Sequence, residues 1–237
     1  MSQIIEHSKI IEITSYVRPE TLVLFDIDNT LIQPVQVFGG HAWFHDTIKR
    51  LEKRGLPGPE VQQKASEFFT AIQDSITLKL VEPEIITVLA QLKEKNIKMM
   101  GLTARWLGLA QRTSRDLQEF NIVFDNPVHK DNLEMGKISG FHQGILYSGE
   151  EFGKGELLAK FLDRINHIPK HVLFVDDVMH YVQDVAGWMS KRGIDCHCIR
   201  YGAVDQQVAQ YSQSQADKEL IDVLGIERFK SIFGEGF

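Results

Sequence analysis

Short apolar runs that end in polar side chains constrain the fold of this chain more than any other sequence feature. Thr21–Asp26 reads TLVLFD, Lys98–Thr103 reads KMMGLT and Val172–Asp177 reads VLFVDD. Cys196–Tyr201 is a fourth run, and Ile122–Asp125 is a weaker fifth. Runs that are apolar on both faces are typical of strands covered on both sides, as in a parallel sheet. The runs therefore predict a buried, mainly parallel sheet.

Amphipathic segments lie between these runs and have apolar residues at helical spacing. They are Glu84–Lys95, Leu107–Phe120, Glu156–Ile165, Met179–Arg192 and Lys218–Phe229. The N-terminal segment is also predicted to be helical, with Pro19 closing it. Strands that alternate with helices of this length indicate βαβ units. The predicted fold class is therefore α/β, a doubly wound parallel sheet with a Rossmann-like core.

One long excursion interrupts this alternation just after the first strand. Residues 33–81 contain GGHAWFHDTIKRL, the helix breaker RGLPGPE and a second helical stretch, Val61–Leu80. We interpret them as a small helical cap inserted into a core formed by residues 1–32 and 82–237. A second excursion, residues 126–153, contains ISGFHQGILYSG and is predicted to be a hairpin or a loop.

Composition narrows the class of protein and its surroundings. The 237 residues are 43% hydrophobic and 24% charged, as in ordinary globular domains. A net charge of −6 offers no basic surplus for broad nucleic-acid binding. The N-terminal residues lack the apolar run of a secretory leader, and no stretch approaches 18 apolar residues, so we expect no membrane association. The two cysteines, Cys196 and Cys198, are interpreted as small core residues. A cytoplasmic location follows as an expectation.

The polar residues at the strand ends carry the predicted chemistry. Asp26, Thr103, Asp176 and Asp177 stand where strands of an open α/β sheet line a ligand crevice, and Asp28 follows two residues after Asp26. Carboxylates that converge in one place repel one another, and a hard divalent cation such as Mg²⁺ relieves that repulsion. If the ligand of this crevice carries a phosphate, a positively charged side chain is also needed to neutralise it. Lys154 fits that need, because it lies between two glycines at a predicted helix start, where free N–H groups favour anions.

These residues, in this order, resemble the motifs of a known enzyme family. Asp26-Ile27-Asp28-Asn29-Thr30-Leu31 resembles the first motif of the haloacid dehalogenase (HAD) superfamily of phosphohydrolases, and the chain is interpreted as a small-cap member. Thr103, Lys154 and the pair Asp176-Asp177 resemble the second, third and fourth motifs. The resemblance spans roughly residues 20–200. It implies an Mg²⁺-dependent, metal-binding phosphatase, a hydrolase that forms an aspartyl-phosphate.

The resemblance also implies a role for each matching residue. Asp26 is the expected nucleophile, and Asp28 the expected acid and base, which also offers its backbone carbonyl to Mg²⁺. Thr103 and the N–H of Ala104 hold a phosphoryl oxygen, and Lys154 neutralises its charge. Asp26, Asp28, Asp176 and Asp177 are the implied metal ligands, with Asp177 the more direct of the last two. An Asp at position 28 favours phosphatase or phosphotransferase chemistry over dehalogenation.

The substrate remains open at this stage, between a small-molecule and a macromolecular phosphate ester. Trp43 and His45 follow a Gly-Gly pair close after the nucleophile motif, where they either contact the leaving group or pack the cap. Arg105 either reaches a second anionic group of the substrate or caps its helix. Two other functions stay open: a phosphotransferase of the same superfamily and a non-catalytic binding protein with this fold. Oligomeric state is not predicted.

Overall fold

The computed structural model describes residues 2–234, and the chain divides into two compact units. Unit 1 consists of residues 2–32 with Leu80–Ala203. Unit 2 consists of Gln33–Lys79 and the chain from Val204 to residue 234. Two short strands, β3 (Ile32–Pro34) and β4 (Leu78–Leu80), pair with each other where the chain passes from one unit to the other.

Unit 1 is built on an eight-stranded sheet, which establishes the α/β fold class. In chain order its strands are β1 (Ser2–His7), β2 (Thr21–Phe25), β5 (Lys98–Thr103), β6 (Leu133–Glu134), β7 (Gly140–His142), β8 (Ile145–Tyr147), β9 (His171–Asp176) and β10 (Asp195–Tyr201). Their order across the sheet is β1-β10-β9-β2-β5-β8-β7-β6. The first six in that order pair in parallel, and β7 and β6 continue the sheet antiparallel.

Helices connect these strands and bury their apolar faces against the sheet. They are α3 (Glu84–Glu94), α4 (Ala110–Gln118), α5 (Lys154–Arg164) and α6 (Met179–Lys191). Every residue of β2 and β9 is buried, as expected for central strands covered on both faces. One core cluster joins Leu24, Phe174 and Leu158, which come from two strands and a helix. The four main apolar runs of the sequence therefore form strands β2, β5, β9 and β10.

The hairpin of residues 126–153 is formed by β7 and β8. Gln143 and Gly144 form its two-residue turn with φ of +49° and +81°. Positive φ at both central positions is the backbone geometry that matches the twist of a tight hairpin. A Cβ at Gly144 would lie 2.5 Å from the Phe124 carbonyl oxygen, so glycine is required there for space as well.

Two predictions about elements of unit 1 are wrong. The N-terminal segment is not one helix, because Ser2–His7 forms edge strand β1 beside β10, and only Ile10–Tyr16 is helical, as a 3-10 helix. Ile122–Asp125 is not a strand. It follows α4 through Asn121, a left-handed residue with φ of +59°, and pairs with no strand among the described residues.

Unit 2 is helical and is formed by two stretches that lie far apart in the chain. Its helices are α1 (His41–Lys53), α2 (Gly58–Ile72), α7 (Asp205–Ala209), α8 (Gln213–Leu224) and α9 (Ile226–Phe233). Their core brings together Trp43, Phe68, Leu220 and Phe233. The predicted boundary placed the C-terminal helices in the core domain. They belong with the insertion instead, because α8 and α9 cover the apolar faces of α1 and α2.

Candidate active site

The carboxyl ends of three neighbouring parallel strands meet at one edge of the sheet in unit 1. β2 lies between β9 and β5. Asp26 follows β2, Asp176 ends β9 and Thr103 ends β5. The N–H of Asp26 donates to the carbonyl oxygen of Val175 at 2.9 Å, which continues the strand pairing to the site. In open α/β sheets this edge is where ligands bind.

Lys154 joins two buried carboxylates at this edge. Its Nζ lies 2.5 Å from Asp26 Oδ1 and 2.7 Å from Asp176 Oδ2. The Lys154 side chain is 1% exposed, and those of Asp26 and Asp176 are 6% and 0% exposed. A lysine is almost never fully buried unless it is paired. The structure thus brings together three of the residues that the sequence selected, from three separate segments.

Asp177 adds a third carboxylate. Single oxygens of Asp26, Asp176 and Asp177 all lie within 4.8 Å of one another. Asp177 Oδ2 accepts a hydrogen bond from the side-chain amide of Asn29 at 3.1 Å. Asn29 has φ of +61°, a conformation that asparagine adopts more readily than most residues. The sequence analysis gave Asn29 no role, although it lies inside the first motif.

The charges of this cluster are unbalanced, since one lysine faces three carboxylates. Burial raises the pKa of Asp26, Asp176 and Asp177, and the neighbouring carboxylates raise it further. Burial alone would lower the pKa of Lys154, but Asp176 and Asp26 more than offset this, so its pKa is raised. A hard divalent cation would hold all three carboxylates ionised. The donor set therefore fits Mg²⁺.

The first turn of α5 positions Lys154. Its N-cap residue, Gly153, has no side chain, and Asp184 of α6 takes over the capping by accepting the N–H of Gly155 at 2.7 Å. A Cβ at Gly153 would lie 2.5 Å from Asp184 Oδ2, which explains the glycine. Asp184 is half-buried and fixes the turn that carries Lys154.

Tyr181 is a second residue of α6 that the sequence analysis missed. Lys154 Nζ lies 4.3 Å from the centre of the Tyr181 ring, within cation–π range. The Tyr181 hydroxyl donates to Glu150 Oε1 at 3.2 Å. Burial raises the pKa of this phenol. Tyr181 and Asp184 are three residues apart, so one face of α6 contacts both Lys154 and the start of its helix.

Thr103 and Ala104 form the turn after β5. Thr103 is buried, and its Oγ1 accepts the backbone N–H of Arg105 at 3.1 Å. Because the hydroxyl is the acceptor in this bond, its own hydrogen remains for a donor role. Ala104 is half-buried. The predicted phosphate-binding turn therefore lies at the same edge of the sheet as Asp26 and Asp176.

Arg105 takes neither role that the sequence left open for it. It is 7% exposed and donates to both carboxylate oxygens of Asp28 at 2.8 Å, as well as to Thr113 and Asp116. It is therefore engaged in ion pairs rather than facing a second anionic group. The Asp28 carboxylate is not part of the group of three described above. Its implied metal contact is the backbone carbonyl, which stays a prediction.

Trp43 and His45 lie in unit 2, on helix α1. Trp43 is 1% exposed, and its ring packs edge-on against Phe233. This supports the packing alternative for Trp43. His45 is exposed and lies with its Nε2 2.8 Å from Nε2 of His41. Its contact with substrate stays a prediction.

Fold and site together define an α/β protein with a buried lysine–carboxylate cluster at the carboxyl edge of its sheet. The chain belongs to the family described as "Protein of unknown function (DUF2608)", whose model matches residues 6–225. Relatives in Chlamydia pneumoniae and Chlamydia trachomatis are each 24% identical, cover 76% of this chain and 69% of their own length, and carry the name "Putative outer membrane protein". Within residues 2–234, no helix is both long and apolar enough to cross a membrane.

Two of the solved structures to which this chain is similar carry titles that name HAD-type hydrolases. A haloacid dehalogenase-like hydrolase from Streptococcus pneumoniae is 18% identical, with a TM-score of 0.46, over 74% of this chain and 82% of its own. A HAD-superfamily hydrolase of subfamily IA from Geobacter sulfurreducens is 14% identical, with a TM-score of 0.41, over 79% of this chain and 95% of its own.

Proposed function

We propose that this chain is an Mg²⁺-dependent phosphatase that hydrolyses a phosphate monoester through an aspartyl-phosphate on Asp26. The observation that carries the proposal is the contact of Lys154 Nζ with Asp26 and Asp176, beside Asp177, at the carboxyl edge of the sheet. Burying three carboxylates and a lysine costs stability. An arrangement of this kind is typical of a site that handles a cation and an anion together.

Asp26, Asp176 and Asp177 are the side chains that would hold Mg²⁺ in this proposal, because their oxygens lie close together and are buried. When bound, the cation would neutralise phosphoryl oxygens and orient the phosphorus toward the nucleophile. Lys154, in contact with Asp26, would supply a second positive charge. The N–H of Ala104 and the hydroxyl of Thr103 would hold a further phosphoryl oxygen.

The first half of the reaction transfers the phosphoryl group to the protein. A carboxylate oxygen of Asp26 forms a bond to phosphorus, and the bond from phosphorus to the leaving oxygen breaks, so that oxygen keeps the electron pair. The ammonium group of Lys154 stabilises the negative charge on the phosphoryl oxygens as the phosphoryl group becomes planar in the transition state.

The second half restores Asp26. A water oxygen bonds to phosphorus, the bond from phosphorus to Asp26 breaks, and the electron pair returns to the carboxylate. The proton lost by the water ends in solvent, and inorganic phosphate leaves. If a substrate hydroxyl replaces the water, the same residues act as a phosphotransferase.

The cytoplasmic location stays a prediction, and fractionation of cells tests it.

Replacement of the nucleophile tests the proposal directly. We expect Asp26→Asn to lower turnover of an aryl phosphate by about 10⁴-fold or more, as loss of a nucleophile does elsewhere, and a chelator to abolish wild-type turnover until Mg²⁺ is added. The matched control is Asp163→Asn, which changes an exposed carboxylate of α5 and should retain wild-type turnover. Turnover by Asp26→Asn above one tenth of the wild-type rate would contradict the assignment. A wild-type chain inert toward every phosphate ester would favour the non-catalytic alternative.

A further inference from the structure

Both oxygens of the Asp28 carboxylate accept hydrogen bonds from Arg105. Arg105 Nε donates to Asp28 Oδ2 and Arg105 Nη2 donates to Asp28 Oδ1, both at 2.8 Å. This two-bond arrangement fixes the plane of the carboxylate as well as its position. The Asp28 side chain is 35% exposed while Arg105 is 7% exposed, so Arg105 holds Asp28 from the protein side.

Arg105 is itself held by α4. Its Nη1 donates to Thr113 Oγ1 at 3.0 Å and to Asp116 Oδ2 at 3.3 Å. Asp116 is 3% exposed and accepts a further bond from Arg112 Nε at 2.6 Å. If Arg105 moved away, it would leave the buried carboxylate of Asp116 with one cationic partner instead of two. Breaking a buried pair in this way is strongly unfavourable, so Arg105 stays in place with its Nε and Nη2 donors toward Asp28.

This geometry matters for the first half of the proposed reaction. A proton donor has to come within hydrogen-bond distance of the leaving oxygen. Both oxygens of Asp28 are directed toward Arg105. In a loose phosphoryl-transfer transition state, the bond to the leaving oxygen is largely broken while the new bond is weak. Charge therefore collects on the leaving oxygen, and that oxygen has to carry it without help from Asp28.

The second half of the reaction is much less affected. Its leaving group is the carboxylate of Asp26, which departs without a proton. The attacking water forms only a weak bond in a loose transition state, so it has lost little of its proton at that point. An Asp28 held by Arg105 therefore penalises a poor leaving group in the first half and leaves hydrolysis of the aspartyl-phosphate nearly unchanged.

Building on the proposed function, we propose that Arg105 is a positioning residue that restricts the site to phosphate compounds whose leaving oxygen departs without a proton. In such a compound the bond from phosphorus to that oxygen breaks, the oxygen keeps the electron pair, and solvent protonates it later. Phenols, with a pKa of about 10, and carboxylic acids, with a pKa of about 4, give such leaving groups. Alcohols, about as weakly acidic as water, do not. The substrate class is thus aryl phosphates, acyl phosphates or phosphoanhydrides rather than alkyl esters.

A leaving-group series on the wild-type chain tests this without any variant. Single-turnover rates of leaving-group release would be measured at saturating Mg²⁺ with acetyl phosphate, pyrophosphate, ring-substituted phenyl phosphates and ethyl phosphate. We expect the rate to fall steadily as the leaving group becomes more basic, with phenyl phosphate reacting about 10²–10⁴-fold faster than ethyl phosphate, which is the usual size of general-acid assistance. Comparison of the rates for acetyl phosphate, pyrophosphate and the phenyl phosphates identifies which of these three kinds of phosphate compound is preferred.

A pair of arginine variants tests the role of Arg105 itself. Arg105→Lys keeps a positive charge but cannot donate to both oxygens of Asp28 in a fixed fork. We expect the phenyl-to-ethyl rate ratio to fall about tenfold or more in Arg105→Lys. Arg112→Lys is the matched control, since Arg112 contacts Asp116 and lies outside the fork, and it should keep the wild-type ratio. Circular dichroism checks that both variants fold.

The outcomes separate this inference from the proposed function. Equal wild-type rates for phenyl and ethyl phosphate would overturn the inference while leaving the phosphatase intact. An unchanged ratio in a folded Arg105→Lys would overturn it as well. If Arg105→Lys does not fold, the wild-type series alone decides. Absence of turnover with every compound would overturn the proposed function and this inference with it.

Discussion

The ammonium group of Lys154 touches two buried carboxylates, so its charge bears on folding as well as on chemistry. Asp26, Asp176 and Asp177 repel one another, and Lys154 offsets part of that repulsion. A bound cation would offset the rest. Folding stability and cation binding should therefore be linked at this cluster, because a ligand that binds the native state alone stabilises it.

Replacing Lys154 tests that linkage. Without Mg²⁺, Lys154→Met should lose about 3–5 kcal/mol of unfolding free energy, since it leaves buried carboxylates without their partner. Added Mg²⁺ should raise the melting temperature of this variant by more than it raises that of the wild type. The control is Lys160→Met, an exposed lysine of the same helix that pairs at the surface with Glu156 and lies over the Phe152 ring, and it should change stability by about 0.5 kcal/mol or less. Thermal melts over a Mg²⁺ series measure both effects, and identical melts for the Lys154 variant and the wild type would contradict the linkage.

The sequence predicts some residues of the site and misses others for a physical reason. Asp26, Asp176 and Lys154 are visible because each follows a recognisable strand or begins a predicted helix. Arg105 is selected from the sequence but its pairing with Asp28 is not visible there, and Tyr181 is not visible at all. Their roles depend on distances between segments that are far apart in the chain, such as the contact of Arg105 with Asp28. Spacing along one segment carries no information about such contacts.

At the scale of elements, the start of α5 depends on a neighbouring helix. Gly153 cannot cap α5, and the carboxylate of Asp184 on α6 accepts the N–H of Gly155 instead. A negative charge at this end of a helix is also favoured by the helix dipole. The two helices therefore share a capping interaction that neither sequence segment shows alone.

Removing that cap should destabilise unit 1. Asp184→Ala is expected to lose about 1–2 kcal/mol of unfolding free energy, the usual value of an N-cap interaction. Its control, Gln183→Ala, changes an exposed neighbour on α6 and should stay within about 0.5 kcal/mol of the wild type. Urea unfolding followed by circular dichroism compares the two. The capping role is wrong if both variants unfold at the same urea concentration.

The strands that continuous apolar runs predict are those buried on both faces. β2, β5, β9 and β10 are continuous apolar runs, so their burial is written in their composition. β1 is an edge strand whose residues are all half-buried or exposed, and it becomes a strand by pairing with β10. Ile122–Asp125 has strand-like residues but no such partner, and so it stays irregular. Pairing is a property of the whole sheet, which local propensity does not contain.

At the scale of the whole molecule, a buried histidine pair links three strands at the amino ends of the sheet. His171 Nδ1 lies 3.0 Å from Thr21 Oγ1, and His171 Nε2 lies 2.7 Å from Nδ1 of His197. The two histidines are 3% and 7% exposed. Burial, helped by the charges of His197 and Arg18, lowers the pKa of His171 to about 4, and burial lowers that of His197 too.

The lowered pKa makes the fold sensitive to acid. Between pH 6.5 and 4 the unfolded chain binds a proton at His171 that the folded chain does not bind. This group therefore lowers the free energy of unfolding as the pH falls. At one pKa unit per 1.36 kcal/mol, the loss at pH 4 is at most about 3 kcal/mol. His171→Gln should remove this part of the pH dependence, whereas His180→Gln, at an exposed position, should keep it. Urea unfolding at fixed Mg²⁺ from pH 7 to 4 measures it, and parallel curves for all three chains would refute it.

Because unit 2 is formed by two separate stretches of the chain, it cannot complete its fold early in synthesis. α1 and α2 are synthesised about 140 residues before α8 and α9, which complete their core. During that interval Trp43, Phe68 and Ile72 lack the two helices, α8 and α9, that complete their core. Unit 1 is fully synthesised by Ala203, before α8 and α9 emerge. The sheet with its cluster of carboxylates can therefore be complete while unit 2 still lacks α8 and α9, and the nascent chain exposes an apolar surface until those two helices emerge.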